Sequence, residues 1–266
     1  MDNFIKLANH MADEAARVTL ASFRKPFDVE VKSDESPVTQ TDRAAERKLR
    51  EIVTEHRSGD GIYGEEYGHS KTKTGYTWVF DPIDGTKQFA GGRPTFVTLI
   101  ALCYEGWPVM SIMDQPVLEE RWMGVSDRCT VFNGRIVTTR KCPELKNART
   151  GITSPRNFSS YETLPVIHDA TQFIAWGGHA YGFGQLACGW LDIVLEKHFG
   201  PFDTLPVVPI VRGAGGVITD WRGGPPNLES KDKVAAAGDP ALHEQILDLL
   251  RNCEEPAALV SKKAVA

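Results

Sequence analysis

No run of about 18 consecutive apolar residues occurs in this chain, which excludes a membrane-spanning helix on length alone. No basic run exists beyond Lys262-Lys263, and 30 Lys and Arg face 35 Asp and Glu, for a formal net charge of −5. That balance argues against general nucleic-acid binding. The five cysteines, Cys103, Cys129, Cys142, Cys188 and Cys253, are odd in number and form no CxxC pair, so incidental thiols in a reducing compartment are expected. The seven histidines (His10, His56, His69, His168, His179, His198, His243) share no ligand spacing, which argues against zinc catalysis. The N-terminus is amphipathic from Asp2 rather than basic and then apolar, so no secretory signal is expected and the cytoplasm is the default. Repeats and low-complexity tracts are absent. What remains is ordinary globular material: 266 residues, 41% hydrophobic and 24% charged, enough for one large domain or two interlocked ones.

One stretch is not ordinary. The apolar run Tyr76-Thr77-Trp78-Val79-Phe80 ends in Asp81-Pro82-Ile83-Asp84-Gly85-Thr86. Pro82 fixes its own φ and keeps Asp81 out of the helical region, so the chain turns there. Such a turn can aim two carboxylates and the Ile83 carbonyl at one hard cation, and Gly85 lets the backbone approach an anion. Alone, it is equally an Asp-Pro turn after a strand. Two further acidic segments weigh on the choice. Gly64-Glu65-Glu66 lies upstream in a glycine-bounded loop, and Gly200-Pro201-Phe202-Asp203 precedes an apolar run downstream, where Asp203 also reads as a helix N-cap. Glu65, Asp81, Asp84 and Asp203 offer only oxygen ligands, which suits Mg²⁺ or Mn²⁺.

Gly64-Glu65-Glu66, Trp78 to Thr86, and Phe202-Asp203 with Ala214-Gly215-Gly216 resemble, in order and spacing, the inositol monophosphatase superfamily of Mg²⁺-dependent, lithium-sensitive phosphatases. Lys87-Gln88-Phe89, Gly91 to Pro94, Pro108 to Gly124 and Val217 to Trp221 look like the histidinol-phosphate phosphatase branch. One position departs from it: where those relatives often carry an acid, Gly177-Gly178-His179-Ala180-Tyr181 has His179. A neutral histidine does not replace a fixed negative charge facing a cationic amino group.

The resemblance implies a layered α-β-α-β-α sandwich of the α+β class, with residues 1–145 as an N-terminal half carrying the GEE and DPIDGT motifs. Residues 146–253 would form a C-terminal half carrying Asp203 and the substrate-reading residues, and 254–266 a tail. It implies one Mg²⁺ on Glu65, Asp81 and the Ile83 carbonyl, and a second on Asp81, Asp84 and Asp203. Asp42 would serve a weaker third ion, or simply cap the helix that follows. Lys32 would assist that region or be exposed. Glu65, Thr86 and Asp84 form the implied catalytic group, Glu65 and the Thr86 hydroxyl orienting and deprotonating the attacking water. Gly85 and Thr86 amides would hold phosphate oxygens, with Glu196 and His179 reading the leaving group. The implied substrate is a small phosphate monoester, L-histidinol phosphate in histidine biosynthesis or else an inositol-type or other sugar-like monophosphate, handled by a homodimer with no nucleic-acid or membrane partner. Charge explains the need for metal: a monoester dianion repels hydroxide, and cations can neutralise it and the leaving alkoxide. A silent metal or phosphate sensor on the same scaffold should have lost one of these acids or Thr86, and none is lost.

Periodicity adds a coarse layout. It predicts helices over 2–24, 42–56, 180–189, 204–213 and 240–252. It predicts strands at 29–32, 96–104, 109–113, 120–125, 173–176, 191–196 and 216–221, that at 173–176 being buried. Trp78, Trp122, Trp176, Trp190 and Trp221 are expected in the core and Trp107 in an exposed turn. A boundary is expected near 141–150.

Overall fold

The computed structural model describes residues 1–26, 29–31, 37–158, 163–229 and 232–254. Lys32 and the tail beyond Glu254 lie outside them.

The first half opens with the amphipathic helix α1 (Asp2–Ser22) and the short pair β1 (Val29–Val31) and β2 (Pro37–Thr39), followed by α2 (Gln40–His56). Then come β3 (Gly61–Gly64), β4 (Gly68–Ser70), β5 (Tyr76–Asp84) and the five-residue α3 (Thr86–Ala90). Four antiparallel neighbours and a short edge strand continue the sheet: β6 (Val97–Tyr104), β7 (Trp107–Gln115), β8 (Glu120–Val125), β9 (Cys129–Phe132) and β10 (Arg135–Val137). The resulting eight-stranded sheet runs β10-β9-β8-β7-β6-β5-β3-β4.

A second sheet begins with β11 (Arg149–Ile152). After α4 (Thr163–Ala170) come β12 (Phe173–Trp176), α5 (Tyr181–Ala187), β13 (Ile193–Phe199), α6 (Pro201–Gly213), β14 (Val217–Thr219), β15 (Asp232–Ala237) and α7 (Pro240–Glu254). Its five strands run β12-β11-β13-β15-β14.

Three apolar clusters stack these elements into α-β-α-β-α layers. Leu7, Met11 and Ala15 of α1 and Leu49 and Val53 of α2 cover one face of the large sheet at Trp78, Ile100 and Ile112. Phe183 and Leu186 of α5 and Val207, Ile210 and Val211 of α6 fill the space between the sheets. Ile167 of α4 and Leu242, Ile246 and Leu250 of α7 close the outer face of the small sheet. The fold class is therefore the α+β sandwich expected from the sequence.

The middle layer is tight. The α6 helix carries Pro206 and Pro209 in its interior and is buried on nearly every side. It approaches β8 and β9 closely enough that the Thr130 hydroxyl donates to the Ile210 carbonyl at 2.6 Å. Gly124 on β8 permits this, since a Cβ there would lie 2.5 Å from the Pro209 carbonyl carbon. Backbone cannot swing aside as a side chain does, so Gly124→Ala is expected to cost about 3 kcal/mol. For a chain of this size that lowers Tm by about 6–12 °C; a differential-scanning melt checks it, and an unchanged Tm would show that the two layers can part.

The structure corrects several sequence expectations. The helix after the GPFD segment starts at Pro201, not at 204, because proline at the first helical position sacrifices no hydrogen bond. The cap of α2 is Thr39 rather than Asp42: Asp42 sits three residues in and accepts from the Thr39 amide at 2.9 Å and from its hydroxyl, a capping box. The strand at 173–176 is an edge strand, so Phe173 (45% exposed) and Trp176 (49%) reach solvent, and Trp190 is similarly exposed. Trp107 is exposed as expected.

Candidate metal and phosphate site

At its C-terminal end β5 stops behaving as a strand. Its pairing with β6 slips between Asp81 and Asp84, around Pro82, which has no N–H to give the ladder. The Ile83 amide turns back to donate to Asp81 Oδ1 at 3.0 Å, and the Thr98 hydroxyl of β6 ties down the Pro82 carbonyl at 2.8 Å. Gly85 follows with φ of 87°, a left-handed conformation that glycine adopts without steric cost, and α3 begins at Thr86. The Thr86 hydroxyl donates to the Ile83 carbonyl at 3.3 Å, so its lone pairs remain available. Ile83, Phe89 and Phe96 form a small buried cluster that anchors the corner.

Asp203 reaches this corner from the second half. It lies in the first turn of α6, where its Oδ2 accepts from the Gly200 amide at 2.8 Å. Capping and convergence thus coexist in one side chain. Asp81, Asp84 and Asp203 bring ligand oxygens within 4.8 Å of one another, and all three are buried. Burial raises Asp81 well above its ordinary value of 3.8, and the charges of Glu65, Asp203 and Asp84 push it further. Asp203 is raised for the same reason, with Asp84 and Glu65 as the neighbouring charges. Asp84 is pushed up to about 7 by burial, against the opposing pull of the Ala180 amide, which donates to its Oδ2 at 2.7 Å. Three buried carboxylates this close cannot all be ionised unless a cation sits among them. The donors are all oxygen, the chemistry of Mg²⁺, Mn²⁺ or Ca²⁺ rather than of zinc. The residues present therefore fit the metal that the motifs imply.

A cleft of about 430 Å³ opens on the cluster. Glu65, Asp81, Ile83, Asp84, Gly85, Thr86, His179 and Asp203, all selected from the sequence, line it. Lys87, Lys197 and His198 line it too. The Lys197 ammonium lies 4.7 Å from the centre of the Trp221 ring, an arrangement that no local pattern announces. His179 has a left-handed φ of 47°, and its Nδ1 stands 4.0 Å from Asp84 Oδ1, beyond hydrogen-bond range. Burial lowers it to about 4, and the nearby Lys87 acts in the same direction, so the ring is neutral at pH 7.

Two selected residues lie elsewhere. Asp42 is buried in its capping box, raised to about 6 chiefly by burial and partly by the charge of Glu66, and does not line the cleft. Glu196 is fully buried on β13 behind the cleft wall, accepting from the Thr153 hydroxyl at 2.6 Å.

Sequence reading missed Glu46. Its carboxylate, buried within α2, accepts from the Glu66 amide at 2.6 Å and the Tyr67 amide at 3.1 Å and is paired with Arg50 at 2.7 Å. It thereby fixes the turn that carries Glu65. A signal existed: Glu46 shares a helical face with Leu49 and Val53, an apolar position for an acid.

A model of the inositol monophosphatase family matches residues 1–255. The chain is 40% identical over 261 residues to the chloroplastic bifunctional phosphatase IMPL2 of Arabidopsis thaliana, covering 94% of this chain and 75% of that one. It is 32% identical over 258 residues to a histidinol-phosphatase of Mycobacterium tuberculosis, covering 92% and 97%. Among solved structures, an inositol monophosphatase from Zymomonas mobilis is 42% identical with a TM-score of 0.85, covering 94% of this chain and 98% of that one.

Proposed function

Because this chain belongs to the inositol monophosphatase family and is a phosphoric monoester hydrolase, we propose that it is a Mg²⁺-dependent phosphatase whose first substrate is L-histidinol phosphate. The observation that carries the metal-dependent reading is the convergence of Asp81, Asp84 and Asp203 on the cleft lined by Glu65 and Thr86. Similarity to histidinol-phosphatases supports the substrate.

Bound Mg²⁺ would supply the positive charge that offsets the ester dianion and the leaving alkoxide. Glu65, Asp81, the Ile83 carbonyl, Asp84 and Asp203 would hold two such ions, and Asp42, which stands outside the cleft lining, would serve a third and weaker one. Mn²⁺ fits the same oxygen donors. Glu65 takes the proton of the attacking water, and Thr86 orients that water through its hydroxyl. The absence of a Cβ at Gly85 lets the ester approach the Gly85 and Thr86 amides. The remaining assignments follow from the resemblance: Li⁺ inhibition, a homodimer, and a place in the cytoplasm. Among the described residues no helix is long and apolar enough to cross a membrane.

A second reading, an inositol-type or other sugar-like monophosphate, is favoured by the similarity to the inositol monophosphatase of Zymomonas mobilis and by one feature of the cleft. The wall beside Asp84 presents a neutral His179 and the cation of Lys87. Among the described residues lining the cleft the acids are Glu65, Asp81, Asp84 and Asp203, already assigned to metal, which leaves none for a substrate ammonium group. Phosphate release from L-histidinol phosphate, inositol 1-phosphate, 3′-phosphoadenosine 5′-phosphate, fructose 1,6-bisphosphate and glycerol 2-phosphate separates the readings. A kcat/KM for histidinol phosphate about tenfold above the rest, roughly 1.4 kcal/mol, supports the first; preference for inositol 1-phosphate or a flat profile overturns it. His179→Asp, a residue that tolerates the left-handed backbone, is expected to shift the histidinol-to-inositol ratio about tenfold towards histidinol. An unchanged ratio would remove His179 from substrate reading.

A further inference from the structure

Behind the cleft wall, three residues from three separate segments form one hydrogen-bonded chain that ends on a metal-ligating carboxylate. Strands β11 and β13 run parallel, with Ile152 beside Leu195. The next residue on each is polar: Thr153 just past β11 and Glu196 within β13. The Thr153 hydroxyl donates to Glu196 Oε1 at 2.6 Å. Its oxygen also accepts from the His179 amide at 2.9 Å. One residue further along the chain, the Ala180 amide donates to Asp84 Oδ2 at 2.7 Å.

We propose that Thr153 and Glu196 are positioning residues for the metal site: they fix the His179–Ala180 turn, and the turn engages Oδ2 of Asp84, so that Oδ1 is the oxygen that would serve a metal. The inference rests on the metal-dependent reading of the cleft, and it gives Glu196 a role that does not require contact with substrate.

Three features of the chain make this arrangement consequential. The turn needs holding, because His179 is a non-glycine residue at φ of 47° and Gly177 precedes it at 86°, a backbone that side-chain-bearing residues seldom adopt unaided. Its other ties are few: the Gly177 amide donates to the Ile152 carbonyl of β11 at 3.0 Å, and within the turn the Gly182 amide donates to the His179 carbonyl at 3.1 Å. Thr153 alone links the His179 amide itself to the sheet, and it can do so only with its own proton turned towards an acceptor. Glu196 provides that acceptor. A hydroxyl whose proton is engaged presents its lone pairs to the His179 N–H, so the direction of the chain is set from the buried carboxylate outward. Glu196 is buried completely and Thr153 partly, so neither bond is diluted by competing solvent. Partners that orient a metal-ligating carboxylate typically change metal affinity by about 10–100-fold when removed.

The test uses the full chain and reads the metal directly. Mn²⁺ binding to EDTA-stripped protein is measured by isothermal calorimetry for the wild type, Thr153→Val, Thr153→Ser and Glu196→Gln, with melting curves as a folding control. Thr153→Val keeps the shape and removes the hydroxyl; its Mn²⁺ affinity is expected to fall at least tenfold, and Thr153→Ser to restore it. Glu196→Gln keeps an acceptor for the Thr153 hydroxyl but loses the charge that strengthens the bond. It is expected to weaken Mn²⁺ in the same sense by a smaller factor and to raise the Mg²⁺ concentration for half-maximal phosphate release by that factor for every ester tested, with KM for the ester unchanged. Two results would overturn the proposal: Mn²⁺ affinity within twofold of wild type in folded Thr153→Val, or a Glu196→Gln effect confined to KM for polyol esters. The second would return Glu196 to substrate reading. A wild-type protein that binds Mn²⁺ but hydrolyses no ester would instead count against the proposed activity, while the affinities would still decide the positioning role.

Discussion

Asp84→Asn is expected to lower kcat/KM about a thousandfold while raising the Tm of the metal-free protein. The two effects share one cause. Asp84 is buried beside Asp81 and Asp203, and Asn keeps its volume and an acceptor for the Ala180 amide. With metal bound, the lost charge is a lost ligand and lost stabilisation of the ester, worth about 4 kcal/mol at 1.36 kcal/mol per tenfold. Without metal, the same charge is only a desolvated neighbour that, after burial, raises Asp203 further, so its removal relieves repulsion. A gain of about 1–2 kcal/mol would raise Tm by roughly 2–8 °C. Steady-state kinetics in Mg²⁺ and melting in EDTA at pH 8 check the pair. Near-normal turnover would break the assigned metal site; a lower Tm in EDTA would show that Asp84 stabilises the fold through its hydrogen bond more than it costs through its charge.

Stripped of metal, the protein is expected to lose stability as pH rises from 6.5 to 8.5, the reverse of a protein held by salt bridges. The carboxyls concerned have an ordinary value of 3.8, taken here for the unfolded chain, and are raised in the folded one, Asp84 to about 7 and Asp81 and Asp203 well above 3.8. Between those limits the folded state holds more protons than the unfolded state. Its stability is therefore fully present below about pH 4 and lost as pH rises through the folded values. Asp42, raised to about 6, acts in the same direction at lower pH. His179, lowered to about 4, and His243, lowered from 6.5, act oppositely, but only below about pH 6.5. Above it the acids act together with the thiols of Cys103, Cys142 and Cys188, whose raised values add in the same direction only near the upper end of the window. A fall of about 5 °C in Tm over this window corresponds to roughly one group losing its proton. Saturating Mg²⁺ should abolish the fall, because metal binds the ionised carboxylates and replaces their protons. A flat EDTA profile would mean that these acids are already ionised together without a cation.

Much of the site was legible because its chemistry is concentrated in short segments. Asp81, Asp84, Gly85 and Thr86 stand within six residues, and Pro82 forces the turn that gathers them. The layers were legible from the resemblance, whereas periodicity reached only mixed helix and strand. What escaped depends on distant partners. Thr153 meets Glu196 43 residues later in sequence, and Glu46 meets the Glu66 amide 20 residues later, so neither contact leaves a local mark. Phe173 and Trp176 read as core because apolar residues favour burial. Their exposure follows from β12 standing at the sheet edge, a fact set by strand order rather than by the strand's own residues. The α6 start was misplaced for a different reason. The sequence reads Asp203 as the N-cap residue itself; instead Gly200 is the N-cap, Pro201 opens the helix, and Asp203 completes the cap from the first turn by accepting from the Gly200 amide.

The most direct test of the central claim is a Mg²⁺ titration of phosphate release from L-histidinol phosphate and inositol 1-phosphate by protein first stripped with EDTA. The account predicts no release without metal, and saturable recovery on adding Mg²⁺ for at least one of the two esters, lost again in Asp84→Asn. Release that persists in EDTA, or recovery that survives Asp84→Asn, would contradict a mechanism built on the buried carboxylates of the cleft.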